Sequence, residues 1–244
     1  MFKIALNAGH GLYTPGKRCL KALDPKETRE WVINSRICEK VETKLKAYTG
    51  YELLRLDDRT GDTDVALATR TNKANKWDAD FYLSIHHNAG VNGGSGGGII
   101  SIVYTKASTK AVEWQKALYD NLIKHTGLKG NRSIPLPKQN LHECRESNMP
   151  CVLLELGFMD SATDVPVILS EEFADKCATA IVEVLAQKGG LVKAKETPET
   201  SYREKVIAAC EFSEGTAEYL DNYKYATDLY KALWECLREG KKRY

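Results

Sequence analysis

The chain has 244 residues, of which 43% are hydrophobic and 28% charged, and its formal net charge is +2. So small a net charge gives no reason to expect a nucleic-acid partner, and no apolar run is long enough to span a bilayer. Its seven cysteines are odd in number, widely spaced and without a CxxC pair. They argue against a disulfide framework or a cysteine zinc knuckle, and for small buried apolar side chains.

In chain order, FKIAL reads as a strand ending in Asn7-Ala8-Gly9-His10-Gly11, where one imidazole stands between two residues without side chains. Asp24-Pro25-Lys26-Glu27 reads as the cap and first turn of a helix spanning about 25–47. Ile37, Cys38, Val41 and Leu45 form its apolar stripe. Steps of four residues carry that stripe back to Asn34 and Glu30. A carboxylate on a core-facing row is costly unless something pairs with it. The plainer reading of Glu30 is an exposed first-turn acid favoured by the helix dipole, and Glu27 is a rival in the same KETRE segment.

YELLRL, DFYLSI, GIISIVY and CVLLEL read as further strands, with helices near 65–77, 108–126 and 171–188. The glycine tract at 91–98 reads as a flexible loop. Alternating strands and helices predict an α/β fold, a mostly parallel twisted sheet with helices on both faces. Chemistry in such sheets gathers beyond the carboxyl ends of the strands. His10 and His86 both follow strands there, and Glu30 begins the first helix. Two imidazoles and one carboxylate make a catalytic zinc set. Glu155 interrupts an apolar strand, so it should be paired, hydrogen-bonded or protonated, and it could accept and return a proton. The alternative is a buried salt bridge with Arg145 or Arg70. Each residue alone has a structural reading; together they point to a metal hydrolase.

After Gln187 the sequence turns polar. Residues 189–200 read as a linker and 201–244 as a small helical C-terminal region, with Ser201 a candidate cap. Tyr219, Tyr223, Ala226, Tyr230, Leu233 and Leu237 are spaced as a seam on one helix face. A tail this short must pack on the main domain, a ligand or a second copy, so a homodimer through this helix is one expectation.

NAGHG, a Glu followed four residues later by Asn (Glu30 and Asn34), SIHHNA and MPCVLLELGF together resemble the zinc-dependent N-acetylmuramoyl-L-alanine amidases of the amidase-3 type. LLRLDD and LATRTNKAN add smaller echoes, and the likeness covers about residues 1–188. The resemblance implies a catalytic domain over 1–188, with Zn2+ held by His10, Glu30 and His86. It implies that Glu155 is the catalytic carboxylate. It also implies that peptidoglycan is the substrate, cut between N-acetylmuramic acid and L-alanine. Arg145 and Asn88 become candidates for holding substrate or steadying the site. His87 replaces a usually small residue, and strand alternation should turn it away from the metal. His125 and His142 are left at the surface.

With no secretion signal in FKIALNAGHG and a second region at the other end, the chain resembles a phage or prophage endolysin. That implies synthesis in the cytoplasm and action on the wall after release. A bacterial autolysin or sporulation enzyme, secreted by a signal since removed, is the alternative. The tail would then bind wall sugars through Tyr219, Tyr223, Tyr225, Tyr230 and Trp234, or join two chains. Two rival functions remain: a zinc peptidase or deacylase on another amide, and a module that binds cell wall without cutting it.

Overall fold

The computed structural model describes residues 1–194 and 198–240. Residues 195–197, part of the expected linker, lie outside these. The chain divides into two compact units, 1–193 and 194–244.

The first unit runs β1 (Phe2–Ala8), α1 (Glu30–Leu45), β2 (Tyr48–Thr49), β3 (Tyr51–Arg55), α2 (Leu67–Trp77), β4 (Phe81–Asn88), β5 (Ile99–Tyr104) and α3 (Thr109–Thr126). It continues β6 (Lys138–Gln139), α4 (His142–Glu146), β7 (Cys151–Phe158), α5 (Val165–Ile168), α6 (Glu171–Gly189) and β8 (Val192–Lys193). Six strands form one sheet in the order β3-β1-β4-β7-β5-β6. Every pairing is parallel except that of β5 with β7. β2 and β8 make a separate antiparallel pair, with β8 inside the stretch expected to be linker.

The apolar strands are covered on both faces, as their composition predicted. Ile4, Leu6, Phe81, Leu83, Ile85, Val152 and Leu154 pack with the stripes of α1, α3 and α6. Alternate residues Ala5, Tyr82, Cys151 and Leu153 pack on the other face with Ala74 of α2 and Cys144 of α4. Each fully buried Leu, Ile or Phe contributes about 1.5–3 kcal/mol. Strand parity therefore sends Asn7, Ser84, His86 and Glu155 toward the α2/α4 face, and His87 toward α1.

Two expectations are corrected here. The first helix does not begin at Pro25. Asp24 accepts hydrogen bonds from the N–H groups of Lys26 and Thr28 (3.2 and 2.7 Å), and Glu27 sits at φ 49. Asp24 caps a turn that the left-handed residue ends, and the helix starts at Glu30. The 91–98 tract is not a free loop. Asp160 Oδ2 accepts from the N–H groups of Gly90, Val91 and Asn92, each at 2.8 Å. Asp164 Oδ2 accepts from Gly98 and Phe158 (2.7 and 2.9 Å). Glycine is required at Gly98, where φ is 91 and an added Cβ would meet the Gly130 backbone.

The second unit contains α7 (Pro198–Cys210), α8 (Glu214–Asp221) and α9 (Ala226–Gly240). The expected single-helix seam is broken: Tyr219 lies in α8, Tyr223 in the turn between α8 and α9, and Tyr230 in α9. Tyr219 is 79% exposed, whereas Tyr230 is 2% exposed. The Tyr230 hydroxyl donates to Asp221 Oδ1 at 2.9 Å, and Arg203 Nε donates to the same carboxylate at 2.6 and 2.8 Å. Such a polar clasp can form only because the chain turns at Asn222–Tyr225. Five of the seven cysteines are buried, Cys210 is half-buried and Cys236 exposed; all seven are free.

Candidate metal centre

β1 ends at Ala8, and the chain enters the loop with His10 at φ 65. Arg70, buried on α2, fixes this corner. Its guanidinium donates to the carbonyls of Ala8, His10 and Val65 (3.3, 3.3 and 2.7 Å), to Asn7 Oδ1 (2.8 Å) and to Asp64 Oδ1 (2.9 Å). The buried-salt-bridge alternative for Glu155 therefore does not apply to Arg70. His10 Nε2 lies 3.4 Å from Glu30 Oε2, and its Nδ1 lies 3.9 Å from Asp64 Oδ2.

Glu30 opens α1 and is buried over the end of the sheet. Its Oε1 is 3.2 Å from His86 Nδ1 and accepts the N–H of His87 at 3.1 Å. Gly9 lets these groups meet, because a Cβ there would overlap the His86 ring. One ligand atom each from His10, Glu30 and His86 lies within 4.8 Å of the others. Glu30 Oε2 is buried with no hydrogen-bond partner, although Lys17 Nζ comes within 3.8 Å of it. A buried carboxylate oxygen without a donor, beside two imidazole nitrogens, suits a divalent cation.

The electrostatics follow from this crowding. Burial pulls the His10 imidazole down to about 4, with Glu30 opposing and His86 and Lys17 adding to the fall. Burial also works against charge on His86 and Glu30, but their partners outweigh it. Glu143 and Glu30 raise His86 to about 10, and His86, His10 and Lys17 hold Glu30 at about 2.

Glu155 pairs in register with His86 across β4 and β7 and points to the same face. Burial pushes its carboxyl up to about 7, aided by Glu30 and Glu143 and opposed by His86 and Lys17. Its Oε2 is buried and unpartnered. His87 points the other way, with Nδ1 2.8 Å from Asn34 Oδ1, while Asn34 Nδ2 donates to the Gly9 carbonyl at 3.2 Å. Glu27 pairs with Arg18 at 3.1 Å, apart from the cluster. His125 bonds Glu183 (2.9 Å), and His142 lies 3.4 Å from Thr71 Oγ1.

The structure does not bring Arg145 to this cluster. Its exposed guanidinium bonds Glu146 and Asn140 (2.6 and 3.0 Å) beside the first residue of β7, whereas Glu155 is four residues further along. Asn88 ends β4. Its Oδ1 accepts the Ala89 N–H and its carbonyl accepts the Met159 N–H, both at 2.8 Å, so it steadies the exit from the strand. Three residues of this corner, Asp64, Lys17 and Glu143, were not picked out by sequence reading. Glu143 carried one available signal, a carboxylate in LHEC on the side of a short helix where Cys144 is also buried.

A mostly parallel α/β sheet with a His-Glu-His cluster and a protonatable carboxyl at one edge defines a hydrolase whose site can hold a metal ion. The N-acetylmuramoyl-L-alanine amidase family model matches residues 4–187. The chain belongs to that family. It is 32% identical over 196 residues to the sporulation-specific N-acetylmuramoyl-L-alanine amidase of Bacillus subtilis, covering 79% of this chain and 70% of that protein. It is 30% identical over 217 residues to the endolysin of Bacillus phage SPP1, covering 86% of this chain and 77% of that one. Among solved structures, an N-acetylmuramoyl-L-alanine amidase from Clostridium difficile matches with a TM-score of 0.68 at 27% identity, over 76% of this chain and 95% of that one. The catalytic domain of the amidase CwlV from Paenibacillus polymyxa matches with a TM-score of 0.67 at 25% identity, over 77% and 98%.

Proposed function

We propose that the chain holds zinc through His10, Glu30 and His86 and hydrolyses the amide between N-acetylmuramic acid and L-alanine in peptidoglycan. The observation that carries this is the approach of the three ligand atoms to within 4.8 Å of one another beside the carboxyl of Glu155. Two imidazoles and a carboxylate favour zinc over magnesium or calcium, which prefer all-oxygen shells. Zinc bound there would supply a Lewis acid that polarises the scissile carbonyl and makes water acidic near neutral pH. Glu155, with a carboxyl raised to about 7, takes the water's proton and returns it to the departing alanine nitrogen. A group so poised near the working pH serves both transfers. Asp64 and Arg70 hold the His10 corner in place.

Zinc uptake has a definite pH signature. His86 is raised to about 10 and must be neutral to ligate, whereas His10, lowered to about 4, is already neutral. At pH 8 each ion taken up should therefore displace one proton from His86, and affinity should rise with pH until that proton is already gone. Calorimetry in two buffers of different ionisation enthalpy measures the count, and zero protons at pH 8 would contradict the assignment.

An endolysin role is part of the proposal. Similarity to the phage protein covers 86% of this chain, which reaches beyond the 4–187 of the family match into the second unit. That unit would attach the enzyme to the wall. The test is metal analysis of the purified protein together with mass spectrometry of digested sacculi. New L-alanine amino termini on the released stem peptides, with the glycan strands left intact, are expected. Cleavage within the stem peptide, or binding of the wall without release, would overturn the reading.

A further inference from the structure

Glu143 is a buried carboxylate on α4, on the side of His86 away from Glu30. Its Oε1 accepts three hydrogen bonds, from Asn7 Nδ2 (2.9 Å), Tyr82 Oη (2.9 Å) and Ser84 Oγ (3.2 Å). The direction of the first is fixed, because Arg70 Nη1 donates to Asn7 Oδ1 at 2.8 Å and so turns the Asn7 amide nitrogen toward Glu143. Oε1 is thereby fully committed as an acceptor. The other oxygen, Oε2, lies 3.7 Å from His86 Nε2, and that nitrogen is buried with no hydrogen-bond partner of its own. The opposite ring nitrogen, Nδ1, faces Glu30 Oε1 at 3.2 Å.

We infer that Glu143 is a positioning residue that fixes His86 with its proton on Nε2, leaving the Nδ1 lone pair for the metal. The inference rests on the zinc reading above. At 3.7 Å the approach of Glu143 to His86 is an ion-pair contact and not a hydrogen bond, but a carboxylate can only accept, so it favours the proton on Nε2, and a neutral imidazole then keeps its free lone pair on Nδ1. Outer carboxylates of this kind set the orientation and basicity of a ligating histidine. Here the chain of donors runs from Arg70 through Asn7 to Glu143, so a buried arginine on α2 sets the polarity of a ligand on β4. Asp64 stands in the matching position for His10 but is half-exposed and further away, 3.9 Å from Nδ1.

Glu143→Gln separates this role from simple packing. Its carbonyl oxygen must take the place of Oε1 to satisfy Asn7, Tyr82 and Ser84, which leaves the amide NH2 facing His86 Nε2. That reverses the donor, makes Nε2 the acceptor and moves the proton to Nδ1. Zinc affinity, measured by competition with a chromophoric chelator, should fall by about 100-fold, at the upper end for an outer-shell partner. Two-bond 15N–1H correlation spectra of histidine-labelled full-length protein should show protonated Nε2 and zinc-bound Nδ1 for His86 in the wild type. In metal-free Glu143→Gln they should show the proton on Nδ1. Glu143→Asp, which keeps an acceptor, should recover part of the affinity. A Glu143→Gln protein that folds and binds zinc as tightly as wild type overturns the inference. So does a wild-type spectrum with zinc on Nε2, which needs no variant to fold. In both cases zinc loading and sacculus cleavage by the wild type would stand. A wild type that takes up no zinc would instead remove the reading beneath it.

Discussion

Replacing Glu155 by Gln should reduce turnover of purified sacculi on the order of 10³-fold, within the usual range for removing a general base and acid, while zinc remains bound at one ion per chain. The substitution is nearly isosteric. It takes away a carboxyl raised by burial to about 7, so the folded state loses little and the reaction loses its proton carrier. His10, Glu30 and His86 keep their positions, because none of them depends on Glu155 for a hydrogen bond. KM should change much less than kcat, since the missing contact is made in the transition state. The paired measurement is steady-state release of alanine amino termini beside metal analysis of the same preparation. Near-normal cleavage by Glu155→Gln would assign the proton transfer elsewhere, and loss of zinc would make Glu155 a ligand instead.

Gly9→Ala should damage the site without touching a reactive group. The added Cβ would fall within the volume of the His86 ring. That ring is confined between Glu30 on one side and Glu143 on the other, so it cannot tilt without misdirecting Nδ1. Otherwise the end of β1 must shift, although the Gly9 N–H donates to the Ile85 carbonyl at 2.9 Å and its own carbonyl accepts from Asn34. Overpacking of this sort costs about 1–3 kcal/mol. In a chain of this size each 1 kcal/mol lowers Tm by about 2–4 °C. Zinc affinity should fall by about 10–100-fold, as when a ligand loses its orientation. Gly215→Ala is the control, since a Cβ there meets nothing. Unchanged zinc affinity in Gly9→Ala would mean that the ring has room the structure does not show.

Gly9 also marks a division between what could be read along the chain and what could not. Its presence before His10 was visible, and a close approach by some group was the natural reading. That the approaching group is an imidazole from β4, in the second third of the catalytic unit, depends on β1 and β4 being neighbours in the sheet. The Glu30 argument fared differently, because it was local. The stripe Leu45, Val41, Ile37, stepped back to Asn34 and Glu30, holds over any α-helix and needs no knowledge of the partner. Even so, the helix start was misread, since Asp24 could cap either a helix or a turn, and Glu27 settles the matter by adopting φ 49.

The glycine tract shows the same limit from the other side. Composition suggests mobility, but two carboxylates far along the chain, Asp160 and Asp164, take up its backbone N–H groups. Arg145 was placed by a motif that fixes only its distance along the chain from Glu155. On the short α4 the direction of each side chain changes by about 100° per residue, and it is Glu143, not Arg145, that turns inward.

Sequence by itself determined the alternation of apolar strands and striped helices, hence the layered α/β class, and it placed His10 after a strand and Glu30 on a buried row, whereas His86, expected after a strand, lies within β4 near its carboxyl end. These are matters of period and composition, carried by each segment alone. The strand order, the antiparallel β5, the aspartates that hold the glycines and the carboxylate behind His86 were decided by tertiary structure. They join residues 35 to 136 positions apart, and which of many equally polar side chains meet depends on how the sheet is ordered and packed.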